Sequence, residues 1–205
     1  MQKFSEILLI VGPCMFIAGA FTLAPTGFFD AIDPASQVAA IESHRTLWLI
    51  AWILIGISGL LAAGGLALFA WNLNSSNGTH GIVLLGYAAA VLAVVGALCY
   101  TIIAFISITS SADYFVAGIN GFIGKFGLAY SILTLLAIFM FGIVLFMNKR
   151  RILGGLLIIA PIFSVVSGLY QVPLTNYFPL LVMGITLLVR PIQQGAPATS
   201  AKPDS

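Results

Sequence analysis

Residues 46–71 read TLWLIAWILIGISGLLAAGGLALFAW, an unbroken run without one ionisable side chain. As a helix this run covers about 39 Å at 1.5 Å per residue, more than the ~30 Å hydrocarbon core of a bilayer. Its apolar residues fill every face instead of one stripe, so it does not read as a helix lying on a membrane surface. It reads as a membrane span. Five further stretches have the same character: Ile7 to Ala24, Gly81 to Ile108, Phe122 to Met147, Ile152 to Tyr170 and Leu174 to Val189.

Composition agrees with that reading. The 205 residues are 60% hydrophobic and 7% charged, with a mean hydropathy of +1.12, whereas a soluble domain carries about 25% charged side chains. Too few charges remain to coat a water-facing surface. The expected fold is therefore all-α: a polytopic membrane protein built as one six-transmembrane-helix bundle over residues 1–191. A disordered cytoplasmic tail, 192–205, follows it. Lys3 ahead of an apolar run has the outline of a secretory signal, but Pro25 directly after the best small-residue cleavage position argues against processing. The segment is read as the first span.

Lys and Arg in short loops set the orientation, because cytoplasmic loops hold their excess. With the N-terminus inside, Lys3, Lys149, Arg150, Arg151, Arg190 and Lys202 are all cytoplasmic, against only Arg45 and Lys125 near the other face. Both termini are thus expected in the cytoplasm, in a cell (inner or plasma) membrane. The cluster Lys149-Arg150-Arg151 is a topology signal and too small to cover nucleic acid. The Asn74-Ser75-Ser76 and Asn77-Gly78-Thr79 acceptor patterns fall on the cytoplasmic side and read as chance matches. Cys14 and Cys99 sit inside apolar segments, where they read as small packing residues and not as metal ligands or a disulfide.

One loop, Pro25 to Arg45, has room for structure, and Ser36 to Glu42 suits a short interfacial helix after Pro34. His44, Glu42, Asp30 and Asp33 on this loop are the catalytic or metal-site candidates, although their spacing matches no ligand motif. The plainer reading is that Ser43 or Glu42 caps the second span. His80 lies at the opposite face, a bilayer thickness from His44, which excludes a shared bis-histidine haem. No metal or other cofactor is expected. Lys125, one turn into the fourth span, reads as a snorkelling side chain with Asp113 as its partner.

The predicted midplane holds no ionisable group, which disfavours coupled transport of charged substrates. Nucleophile elbow, zinc-protease, phosphate-loop and dinucleotide signatures are absent from the sequence. Small residues recur at four-residue spacing in Gly59, Ala63 and Ala67, in Ala89, Ala93 and Ala97, and in Ala160, Ser164 and Gly168. This spacing predicts that the second, third and fifth spans form the tight centre. Pro13, Pro161 and Pro179 must turn their freed carbonyls toward protein and away from lipid. Tyr170, Gln171, Thr175, Asn176 and Tyr177, with Tyr100 and Tyr114 at similar depth, form either an aromatic belt or the mouth of a pocket. Tyr100, Lys125, Tyr170, Gln171 and Asn176 are the ligand-facing candidates.

Three functions fit these residues. The first is a non-enzymatic bundle in contact with the lipid bilayer, serving either as an accessory subunit beside other membrane subunits or as a binder of an apolar or amphipathic ligand near the outer leaflet. The second is a uniporter or channel for a small neutral solute. The third is an outer-face lipid-modifying enzyme using His44 and its neighbouring carboxylates.

Overall fold

The computed structural model describes residues 2–75, 80–119, 121–169 and 174–189. Apart from short turns and connections, the described residues are helical, with no strand among them. Four helices are long and apolar enough to cross a membrane: α1 (Gln2–Leu23), α3 (Arg45–Ser75), α4 (His80–Thr109) and α6 (Phe122–Met147). Two shorter apolar helices, α7 (Arg151–Val166) and α8 (Leu174–Val189), follow. At 16 residues each, they extend about 24 Å. The fifth predicted span therefore ends earlier than Tyr170: the backbone turns at Ser167 and Gly168, where φ is +73°, a left-handed conformation that costs glycine little. Tyr170, Gln171 and the tail lie outside the described residues.

The helices pack in the order α1–α3–α4–α6–α7, and α8 closes the ring against α1, α6 and α7. The tight centre is not where the small-residue spacing put it. The most extensive contact joins α1 to α3, and α7 packs chiefly on α6. Close approach comes instead from glycines facing backbone. A Cβ on Gly12 would lie 2.9 Å from the Ala62 nitrogen, and one on Gly154 would lie 2.4 Å from the Phe146 nitrogen. Gly168, expected in the α7 packing stripe, is exposed. Ala89, Ala93 and Ala97 are buried as their spacing predicts, and so are Pro13, Pro161 and Pro179.

The surface is apolar where a soluble bundle would be polar. Ile50, Ile53, Ile57 and Leu60 are exposed along one face of α3, while Ser58, Ser131, Thr134 and Asn176 are buried. Large apolar side chains pointing out and small or polar ones pointing in is the arrangement that lipid permits and water penalises. One ionisable side chain lies deeper than the sequence suggested: Glu6 is 2% exposed, a turn into α1. Next to it, Asn72 Nδ2 donates to Ser5 Oγ across 3.4 Å.

Two short helices cap one end. The helix expected in the loop is α2 (Pro34–Ser43), and α5 (Ala112–Ile119) packs beside it. Asp33 caps α2 by accepting from the Ser36 amide at 2.9 Å and from the Ser36 hydroxyl. Ser43 ends the helix, its hydroxyl donating back to Ala39 O at 2.7 Å, so neither it nor Glu42 provides a side-chain cap for α3. Instead, Arg45 Nη2 donates to the Ile108 and Ser110 carbonyls at 3.2 and 3.1 Å. The start of α3 thereby satisfies the open carbonyls at the end of α4.

Candidate functional site: an aromatic cavity under the cap

Beneath α5 lies a cavity of about 510 Å³, within the range of small-molecule sites. Helices α1, α3, α4 and α6 supply its walls through Phe16, Trp52, Ile55, Tyr100 and Ile103, with Gly124 and Gly127 on the α6 side. Phe28, Phe29, Phe115 and Ile119 roof it. A Cβ at Gly127 would meet only Ile103 Cδ1, at 3.8 Å, so the missing side chain is part of the space. Among the described residues, no charged side chain lines the cavity.

The aromatic rings hold one another. Trp48 meets Phe28 and Phe115 edge-on, with centroids 5.0 and 5.2 Å apart, and Trp52 meets Phe115 at 5.8 Å. One turn of α3 separates the two indoles, yet their polar atoms differ. Trp48 Nε1 donates to Ser107 O at 3.0 Å, while Trp52 Nε1 is buried and has no hydrogen-bond partner among the described residues. A buried donor left open costs about 1–3 kcal/mol, and such an exception calls for a specific cause.

Below the cavity the interior turns polar. Tyr100 stacks on Tyr130 with centroids 4.2 Å apart, and Phe16 stacks on Tyr177 at the same distance. Ser58 Oγ donates to the Tyr177 hydroxyl at 3.1 Å. Asn176 is fully buried near the Tyr130 hydroxyl, but neither amide atom reaches hydrogen-bonding geometry with protein. A void of about 10 Å³ beside Gly59, Ala97, Tyr130, Thr134 and Tyr177 has room for about one water molecule.

The sequence candidates scatter. Tyr100 lines the aromatic cavity and Asn176 lies deeper in the interior, whereas Lys125 is exposed on α6. Asp30, Asp33, Glu42 and His44 are all exposed. Among the described residues, no three His, Cys, Asp or Glu side chains gather as a metal site. His44 Nδ1 lies 3.0 Å from Ser43 Oγ. The Asp33 carboxyl is held below its ordinary range by the Ser36 hydroxyl and amide, the same contacts by which it caps α2. Sequence reasoning passed over Phe16, Trp52, Phe115 and Tyr130, and set Tyr177 in a belt or pocket mouth. Tyr177 is 1% exposed, an interior residue and no part of a surface belt.

Comparison with known protein families, curated proteins and solved structures finds no match. Fold and site together define a class: an all-helical bundle, four of whose described helices have the length and composition of membrane spans, with an aromatic cavity at its capped end that no charged side chain among the described residues lines.

Proposed function

We propose that the protein is a non-enzymatic, six-span membrane bundle that binds an apolar or amphipathic ligand in the aromatic cavity near the outer leaflet. In this reading α7 and α8, of 16 residues each, are the fifth and sixth spans. Both termini are cytoplasmic, supported by the basic residues at Lys3, 149–151 and Arg190. The capped end then faces outward. Membrane lipid is the first partner, and association with other membrane subunits is compatible with the same bundle.

The observation that carries this reading is the cavity itself: about 510 Å³ walled by aromatic rings and free of charge. A void of about 10 Å³ below it suits a water and not a travelling solute, which favours a binder over a uniporter. His44, Glu42, Asp30 and Asp33 are exposed, and among the described residues no three His, Cys, Asp or Glu gather as a metal site, so nothing here supports the enzyme reading.

Photolabelling tests the proposal. A diazirine-bearing neutral lipid, activated in membranes, is expected to modify Trp52, Tyr100 and Phe115. Labelling confined to outward-facing residues such as Leu60, Leu98 and Phe105 would refute it.

A further inference from the structure

We infer that the turn between α6 and α7 binds an anionic phospholipid, its phosphate met by Lys149 and Arg151 and its acyl chains lying on the outward face of α7. The site is separate from the aromatic cavity and stands at the opposite end of the bundle. Charge is sorted between the two ends. Among the described residues, Asp30, Asp33, Glu42 and Asp113 all belong to the capped end, while Lys3, Lys149, Arg150 and Arg151 belong to the other. Glu6, the one described acid at that end, is 2% exposed, so the end presents cations to its surroundings. An anion is the partner that such a surface attracts.

The class of anion follows from what flanks the cations. The Lys149 and Arg151 side chains are exposed and have no hydrogen-bond or ion-pair partner among the described residues. They stand two and four residues past Met147, the end of a helix long and apolar enough to cross a bilayer, which sets them at the boundary between hydrocarbon and water. Exposed apolar side chains lie on both sides: Phe146 and Met147 before the cations, and Ile152, 85% exposed, directly after them. Leu156 and Ile159, also exposed, follow Ile152 at i+4 and i+7 and so continue one face of α7. Since α7 packs chiefly on α6, and a Cβ on Gly155 would meet nothing within 4 Å, the described bundle leaves this side of α7 open. A free phosphate or an acidic peptide answers the cations but not the apolar face. A zwitterionic lipid answers the face but brings a cation of its own. A negatively charged headgroup on hydrocarbon chains complements both.

Shifts in the thermal unfolding midpoint of the purified full-length protein, titrated with lipid in a nonionic detergent, test the inference. The probes are dioleoylphosphatidylglycerol, dioleoylphosphatidylcholine and glycerol phosphate, the last being a headgroup without chains. Wild type is expected to bind the phosphatidylglycerol saturably and about 30-fold more tightly than the phosphatidylcholine, the preference that two interfacial cations confer. Glycerol phosphate at the same concentrations is expected to leave the midpoint unmoved. The double variant Lys149→Gln/Arg151→Gln is expected to bring the two lipids within about threefold of each other. Lys3→Gln, which removes a cation from the same end, is expected to keep the preference. The aromatic cavity, with no charged side chain among its described lining residues, has nothing to tell the two headgroups apart and cannot imitate the result. Equal binding of the two lipids by wild type would overturn the inference without any variant having to fold. So would a preference that survives the double variant, one lost equally in Lys3→Gln, or a glycerol phosphate shift that matches the phosphatidylglycerol one.

Discussion

The Trp48 indole donates to the Ser107 carbonyl across 3.0 Å, fastening the first turn of α3 to the last turns of α4. Both residues are essentially buried, so the bond cannot be exchanged for one to water. Together with the Arg45 contacts it fixes the end of the bundle from which the aromatic cavity is built.

Trp48→Phe removes that donor and leaves the Ser107 carbonyl to its remaining contacts. A loss of about 2 kcal/mol is expected, lowering the unfolding midpoint in detergent by roughly 5 °C. Trp52→Phe, which gives up no protein hydrogen bond, is expected to lose less in the absence of ligand. Equal losses in the two variants would show that ring volume, and not the Ser107 bond, governs stability here.

At the α6–α7 contact, Gly154→Ala would drive a methyl into the Phe146 nitrogen and the Gly142 oxygen, at 2.4 and 2.7 Å. These are backbone atoms, so the helices themselves must separate, and a cost of about 1–3 kcal/mol is expected. Gly155→Ala, next in sequence but with nothing within 4 Å, is expected to be neutral or to stabilise by about 0.5–1 kcal/mol. Thermal unfolding of the pair checks whether α7 seats on α6 through Gly154.

The Asp33 cap predicts a pH dependence. Ser36 lowers the carboxyl's pKa from its ordinary 3.8, so folding binds the charged form better. The stabilisation is then complete above 3.8 and is lost as pH falls through the lower folded value. Asp33→Asn keeps a capping side chain but cannot titrate. Circular dichroism between about pH 2 and 5 should show an α2 transition in wild type that the variant lacks. Superimposable profiles would disprove the cap's role.

The long helices were legible because 46–71, 81–108 and 122–147 are apolar without interruption, and length alone identifies such segments. Rotation about each helix axis was not legible, for the same reason: a helix apolar on every face carries no stripe to say which side is inward. Tyr177 and Tyr100 therefore fit a belt or a pocket mouth equally well in the sequence, and Trp52 carried no signal at all. The α5 helix escaped notice because its eight residues are too few for a span. Only packing against α2 and α6 reveals its purpose as a roof. Packing partners escaped too, since Gly12 and Gly154 act through backbone contacts that a four-residue spacing of small residues does not encode.

Native mass spectrometry tests the central claim most directly, comparing wild type with Gly127→Phe, whose ring would fill the aromatic cavity where glycine now leaves it open. The account predicts one neutral lipid retained by wild type when released gently from membranes, and none by Gly127→Phe, with the two unfolding midpoints equal once both proteins are stripped of lipid. A lipid-free wild type, or the same lipid carried by both proteins, would contradict it.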